Sequence, residues 1–244
     1  AIGVPQDRPS RTGPTWAYLF DADGLTLLDP GAHGSFDELA SGIAAAGFAV
    51  KDIDRVVLSH GHFDHDGSTA QVVSESGASL WAHVVYASLL PYDPWSVQQR
   101  DRSPLHAEIA GLMRSATHED HGRILPWQNG SYLESRRELD VDHPTRHGET
   151  FGGASVVHAP GHSPDELCIA LDGVVFTGDH ILPEITPHPT TKVAFREEVS
   201  RSVPDEYRET GDSFGLERYM RSLKSVMELG TSLSILPAHR LYNR

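Results

Sequence analysis

Six residues, His60-Gly61-His62-Phe63-Asp64-His65, place three imidazoles and a carboxylate at the end of an apolar run. Imidazole nitrogens and carboxylate oxygens are the donors that zinc and similar divalent cations take from proteins. In an extended segment residues two apart point to the same side, so His60 and His62 can grip one cation while Asp64 and His65 turn toward a second. With 15 His and 19 Asp in 244 residues, chance would produce this pattern about 0.004 times if positions were independent, which sets it apart from background. The competing reading is a histidine-rich surface loop.

Three later positions share one topology. His162 in Pro160-Gly161-His162-Ser163-Pro164, Asp179 in Thr177-Gly178-Asp179-His180 and His239 in Leu236-Pro237-Ala238-His239 each follow an apolar run that reads as a strand. A loop at a strand end is where a ligand can be presented. Alone, each is an ordinary residue beside a Pro or Gly; in this order after His-x-His-x-Asp-His they form a set. His118 and His121 look like a second pair but lack partners, and a solvated face explains them better. The other histidines, including His33, His83, His106, His143, His147, His158 and His188, have no spacing that singles them out. His188 follows Asp179 closely enough to reach a pocket and is the candidate substrate contact. Arg196, Arg201 and Arg208 could meet a carboxylate or phosphate, although a solvated face is the simpler reading.

The elements that must carry these residues follow from the apolar pattern. Trp16 to Phe20 and Leu25 to Leu28, joined by Asp21-Ala22-Asp23-Gly24, read as a β-hairpin that ends at Asp29-Pro30-Gly31. Ser35, with Glu38 three residues on, forms a capping-box pattern before a helix that buries Phe36, Leu39, Ile43 and Ala46 and stops at Gly47. Val56-Val57-Leu58 is a buried strand that delivers Ser59 and the histidine cluster, followed by a short helix over Gly67 to Ser76 and a strand at Ser79 to Ala82. Ala154 to His158, Glu166 to Leu171 and Val174 to Thr177 read as three strands, the last two joined by the Asp172-Gly173 turn. The spacing of Leu216, Tyr219, Met220, Leu223, Val226 and Met227 predicts a helix over 216–229 with these residues on its apolar face, before a last strand at Leu233 to Leu236.

Between about residues 86 and 146 the pattern breaks. Pro91, Pro94, Pro104 and Pro126 punctuate a polar stretch carrying Tyr92, Trp95, Trp127 and Tyr132. This reads either as an inserted, partly helical cap that walls a substrate pocket or as a peripheral elaboration packed on the main body. Residues 1–244 otherwise read as one domain, a size that allows a sizeable core.

Composition narrows the partners. A formal charge of −14 argues against a nucleic-acid binder, which needs a basic face for phosphates. Two divalent ions would bring four positive charges to the site, so an anionic small molecule stays possible there. The single cysteine, Cys168, lies in an apolar run, reads as a buried inert thiol, and favours a reducing compartment. The chain opens without the basic and apolar regions of a secretory signal, and no segment approaches the roughly 18 apolar residues of a membrane span. Cytoplasmic is therefore the default location, with a small-molecule substrate and no membrane partner expected.

From Asp29-Pro30-Gly31 to His239 the chain resembles the metallo-β-lactamase-fold superfamily, and within it the dinuclear hydrolases that include glyoxalase II-like thioesterases and acyl-homoserine lactonases. The resemblance implies an α/β architecture, an αββα sandwich of two mixed β-sheets packed face to face with helices outside and the metals at one edge. It implies two divalent metal ions, zinc first, with manganese or iron as alternatives. His60, His62 and His162 would hold the first, Asp64, His65 and His239 the second, and Asp179 would bridge them. Asp29 and His180 would orient the imidazoles, against the plainer reading of loop hydrogen bonding. Zinc β-lactamases of the family commonly carry a Cys where this chain has Asp179, which moves the expectation from β-lactams to an ester, thioester or lactone, cleaved by a metal-bridging hydroxide with Asp64 orienting it or shuttling a proton. The di-iron flavoproteins of the family carry a Glu where this chain has His62. A phosphodiesterase and a mononuclear iron persulfide dioxygenase are the alternatives. The family generally continues past its last histidine, whereas this chain stops at Arg244, five residues beyond His239.

Overall fold

In the computed structural model, which describes residues 1–6, 10, 12–94, 97–100, 108, 112, 126–187, 193–208 and 215–240, neighbouring residues of the central strands fall into different cores. Strand side chains alternate between faces, so Leu27 and Val56 pack on one side of their sheet while Leu28 and Val57 pack on the other. That alternation builds the layers. The first sheet comprises β1 (Ile2–Val4), β2 (Thr15–Asp21), β3 (Leu25–Leu28), β4 (Arg55–Val57), β5 (Ser79–His83) and β7 (His143–Thr145), hydrogen-bonded in that order. Its first three strands are antiparallel, and β3, β4, β5 and β7 run parallel. The second sheet has the order β13 (Ser234–Pro237), β11 (Val174–Gly178), β10 (Leu167–Leu171), β9 (Ala154–His158) and β8 (Thr150–Phe151), parallel only between β11 and β13.

Between the sheets lie Tyr18, Leu28, Val57, Phe151, Val156, Leu167, Ile169 and Phe176. Phe20 stacks on Phe176 with ring centroids 4.8 Å apart, and Tyr18 donates its hydroxyl to the Pro237 carbonyl at 2.7 Å, so the two sheets are joined by both apolar and polar contacts. Outside the first sheet, α1 (Phe36–Ala45) and α3 (Thr69–Ser76) cover Val4, Leu27, Val56 and Leu80 through Leu39, Ile43 and Val72. Outside the second, α8 (Leu216–Met227) sets Val226 against Val157, Cys168 and Val175. The result is the expected sandwich of two mixed sheets between helices, and the free Cys168 is buried in it. Among the described residues no helix is long and apolar enough to cross a membrane.

At the end remote from the histidines the sheets touch through backbone. Gly152, at φ +49° in the turn before β9, lies so close to Ala22 in the β2–β3 turn that a Cβ there would sit 2.0 Å from the Ala22 carbonyl carbon. At the opposite end backbone joins the sheets too, Leu167 N donating to the Ser59 carbonyl at 2.8 Å and Trp16 N to the Ala238 carbonyl at 2.7 Å, and an aromatic contact adds to it. His83 and His158 stack with centroids 3.8 Å apart and planes 11° from parallel, edged by Tyr207 from α7 (Asp205–Arg208), the short helix after α6 (Glu197–Ser200).

Several local expectations are corrected. Ser35 does not cap α1; its hydroxyl donates to the Pro5 carbonyl at 2.7 Å and ties down the N-terminal segment instead. The helix expected from Gly67 begins earlier as a turn, α2 (Phe63–Asp66), and restarts as α3 after Ser68. The packing face of α8 is narrower than its apolar spacing suggests: Val226 is buried as expected and Tyr219 and Leu223 are half-buried, but Leu216, Met220 and Met227 are 54%, 55% and 66% exposed while the polar Ser222 is buried. Ser222 donates to the Pro160 carbonyl at 2.6 Å, and that bond sets the rotation of the helix. The short strands β1, β7 and β8, and the ribbon of β6 (Gln98–Arg100) with β12 (Val193–Phe195), carry too few residues to show a period. Of the 86–146 stretch the structure describes α4 (Val84–Leu89) to its end at Leu89, the β6 strand and α5 (Pro126–Arg137); His118, His121 and Trp95 lie outside the described residues.

α5 is anchored by charge. Asp66, fully buried, accepts from Tyr132 Oη at 2.7 Å, Tyr86 Oη at 3.0 Å and Arg136 Nε at 3.1 Å, and Arg136 also donates to the Tyr92 carbonyl at 2.9 Å. Tyr86 and Arg136 in turn lie over Gly61, where a Cβ would come within 2.7 Å of the Tyr86 ring.

Two outcomes are expected. Removing one partner of a buried ion pair strands the other, so Arg136→Met should cost about 3–5 kcal/mol in urea unfolding, whereas Arg201→Met, which breaks the exposed pair with Glu197, should cost under about 1 kcal/mol. Burial, with Arg218 and His147 adding to it against the Pro164 hydrogen bond, pushes the His158 imidazole down to about 4. The unfolded chain takes up that proton near pH 6.5 and the folded one does not, so stability falls as pH drops from about 6.5 to about 4. Replacing His158 with Asn should flatten that limb of a stability–pH curve by roughly 3 kcal/mol.

Candidate metal centre

Strand direction gathers the histidines at one edge. β4 ends at Val57 and runs through Leu58 and Ser59 into His60; β9, β11 and β13 run the same way as one another and end just before His162, Asp179 and His239. His62 is still extended, at φ −94° and ψ 149°, and serves as the residue before α2, so one turn of helix then swings Asp64 and His65 inward. His65 N and Asp66 N both donate to the His62 carbonyl, at 2.9 and 3.0 Å, which fixes that turn.

All seven expected ligands meet there. His62 Nδ1 lies 2.8 Å from His60 Nε2 and 3.0 Å from His162 Nε2. Asp179 Oδ2 is 3.4 Å from His162 Nε2, and its Oδ1 is 3.6 Å from His65 Nε2 and 3.4 Å from His239 Nε2. Asp64 Oδ2 is 3.4 Å from His239 Nε2. The donor atoms group as His60, His62 and His162, as His60, His65 and Asp179, and as Asp64, His65 and His239, each set within 4.8 Å. Asp179 thus faces imidazoles of both end groups.

The imidazoles are aimed by their far nitrogens. Asp29 accepts from Ser59 N at 2.8 Å, from Ser59 Oγ at 2.6 Å and from His65 Nδ1 at 3.0 Å. Ser59 Oγ is also 3.0 Å from His60 Nδ1. His162 Nδ1 reaches the Pro187 carbonyl at 2.5 Å and His239 Nδ1 the Pro14 carbonyl at 3.0 Å. An Nδ1–H donated to a carbonyl or carboxylate leaves the Nε2 lone pair facing the centre. His180, expected beside Asp29 in this role, makes no such bond: its ring is fully buried, both nitrogens lack a hydrogen-bond partner, and it packs 4.8 Å from the Tyr219 ring. His188, the candidate substrate contact, lies outside the described residues. Arg201 and Arg208 pair with Glu197 and Asp205, consistent with a solvated face.

Charge and burial together fit a cation. His65 Nε2, His239 Nε2 and Asp179 Oδ1 are buried and have no hydrogen-bond partner, although such atoms are rarely left unpaired in a folded protein. Burial, with His65, His62 and His162 crowding it, keeps His60 well below the usual imidazole range, and burial with His162 brings His62 down to about 3. Burial opposes charge on Asp179, yet His65 foremost holds it well below the usual carboxylate range. Burial likewise opposes charge on His65, but Asp179, Asp29 and Asp64 push that imidazole well up. The neutral nitrogens of His60 and His62 and the ionised Asp179 are donors a divalent metal takes, and a cation there would supply the positive charge that the carboxylates otherwise draw onto His65.

Two neighbours escaped the sequence reading. Glu166, fully buried, accepts from Asp179 N at 3.0 Å through Oε1 and brings Oε2 to 3.5 Å from His60 Nδ1; burial, with Asp179 adding to it, pushes its carboxyl well up. A charged residue opening the apolar run Leu167-Cys168-Ile169 was the available signal. Gln6 donates through Nε2 to Asp64 Oδ2 at 2.9 Å, and nothing local in the sequence marks it.

Comparison with known proteins agrees with this geometry. A family model described as the metallo-beta-lactamase superfamily matches residues 10–239. The probable metallo-hydrolase YqjP of Bacillus subtilis (strain 168) is 24% identical over 261 residues, covering 98% of this chain and 70% of that protein. Among solved structures, the metallo-beta-lactamase family protein TTHA1429 from Thermus thermophilus superimposes with a TM-score of 0.62 at 20% identity, over 98% of this chain and 73% of that one. TTHA1623, solved in a di-iron-bound form, gives a TM-score of 0.59 at 20% identity over 99% and 93%. The family match runs through every residue of the cluster, from His60 to His239, and on that ground this chain belongs to the metallo-beta-lactamase superfamily.

Proposed function

We propose that this protein is a metal-dependent hydrolase that uses two divalent ions to cleave an ester, thioester or lactone. The observation that carries the reading is the set of buried, unpartnered atoms His65 Nε2, His239 Nε2 and Asp179 Oδ1, in which the carboxylate oxygen lies within 3.6 Å of both nitrogens where two histidine groups meet. His60, His62 and His162 would hold one ion, Asp64, His65 and His239 the other, and Asp179 both. Two ions held there acidify a water to near neutrality and polarise a carbonyl.

The chain's own side chains supply the rest. Burial opposes charge on Asp64, but His65 and His239 hold its carboxyl below the usual range, so it is ionised at neutral pH and can take a proton at Oδ2 and pass it to a leaving group. Gln6 keeps that carboxylate in place. An Asp at position 179 supports carbonyl esters over β-lactams. The iron in TTHA1623 supports testing iron beside zinc and manganese here.

Metal analysis of the purified protein, with a panel of thioesters, lactones and phosphodiesters, tests the proposal. Two equivalents of metal with carbonyl-ester turnover are expected; one iron with oxygen consumption would sink it. Asp179→Ala should lose one equivalent and nearly all turnover, and retention of both metals with full activity would refute the bridging role. Asp29→Asn, which weakens the hydrogen bond aiming His65, should lower metal affinity about 10- to 100-fold in a chelator competition.

A further inference from the structure

A second polar concavity lies away from the histidine cluster. It is a cleft of about 250 Å³ between α8 and the loop after β9, lined by His147, His158, Pro160, Arg218, Arg221, Ser222 and Ser225. Arg218, Arg221, Ser222 and Ser225 recur at i, i+3, i+4 and i+7, so they occupy one face of α8. No carboxylate lines the cleft among the described residues. In a chain of net charge −14 a concavity walled by two guanidinium groups and two imidazoles is an exception that calls for an occupant.

The donors are the two arginines. Arg218 is half-buried and makes no ion pair with a described carboxylate, and Arg221 pairs only with Glu217 at 2.5 Å, an exposed i,i+4 contact that holds a guanidinium weakly. His158 spends its N–H on the Pro164 carbonyl at 2.9 Å, which fixes its ring as a wall of the cleft. The cleft floor is fixed, because Ser222 holds the Pro160 carbonyl and Gly215 N holds the Gly161 carbonyl at 3.0 Å.

We infer that this cleft binds the phosphate group of a small soluble molecule, with Arg218 and Arg221 on its oxygens. A carboxylate is satisfied by one guanidinium fork, whereas two forks from one helix face suit a tetrahedral dianion. The volume falls just below the roughly 300 Å³ at which sites for larger organic ligands begin, which leaves room for a phosphate with a short organic remainder. The site is independent of the hydrolase reading, although it abuts the loop that carries His162, two residues beyond Pro160.

Calorimetric titration of the full chain with inorganic phosphate and with glycerol 3-phosphate tests the inference. Saturable binding is expected, weakened about tenfold or more by Arg218→Gln and further by Arg218→Gln with Arg221→Gln. Lys224→Gln, on the same helix outside the cleft, should change affinity less than twofold. Equal affinity in the double variant would overturn the assignment by placing the phosphate elsewhere, the metal centre included. An equal loss in Lys224→Gln would overturn it in favour of unspecific charge. Capture on phosphatidic acid vesicles without titration by either soluble phosphate would overturn it in favour of a lipid surface.

Discussion

The loop that brings His60 to His65 into the cluster depends on one buried carboxylate. Asp29 terminates β3 at φ +54°, a conformation that costs a non-glycine residue on the order of 1–2 kcal/mol and that turns its side chain back under the β4 exit. Its two oxygens are then filled by the amide and hydroxyl of Ser59 and by His65 Nδ1. Ser59 passes the constraint to His60, and α2 passes it from His65 to Asp64. The loop conformation, the ring tautomers and the placement of the side chains from Ser59 to His65 therefore follow from one residue at a strand end. Buried and accepting three hydrogen bonds, the carboxylate is well compensated for its loss of water.

The centre itself is electrostatically unfinished. Burial, with the imidazoles crowding one another, strips protons from His60 and His62, while Asp179, Asp29 and Asp64 keep one on His65, so groups of opposite demand sit side by side. Local disagreement of this kind in a well-packed structure is the mark of a functional site rather than of stability. The rest of the fold absorbs it through the inter-sheet core and the Asp66–Arg136 anchor beneath Gly61.

Legibility in the sequence followed the range of each interaction. The seven clustered residues were readable because donor type and strand-end position are local properties, and the hairpin and the central strands were readable for the same reason, whereas the two-sheet sandwich was implied by the family resemblance alone. Glu166, Gln6 and Arg136 were not, because their partners lie 13, 58 and 70 residues away and no period encodes such a pairing. The packing face of α8 was legible in part: apolar spacing picks out Val226, which does face the sheet, but also Leu216 and Met220, which do not, whereas Ser222, bonded to the Pro160 carbonyl, has no apolar signal. His180 is adjacent to Asp179 in sequence, but it lies in the turn after β11, its amide donating to the Thr177 carbonyl at 2.9 Å, and its ring packs on Tyr219 instead.

The Gly152–Ala22 contact gives the sandwich a mechanical character. Backbone against backbone, with no side chain between, leaves that end of the two sheets nothing to compress or slide. The far end is pinned by backbone as well: Leu167 N donates to the Ser59 carbonyl at 2.8 Å and Trp16 N to the Ala238 carbonyl at 2.7 Å, and Ser59 and Ala238 each adjoin a residue of the cluster. With both ends held, the gap between His60 to His65 on one sheet and His162, Asp179 and His239 on the other is set by the fold itself, so a cation entering there would meet a spacing already fixed.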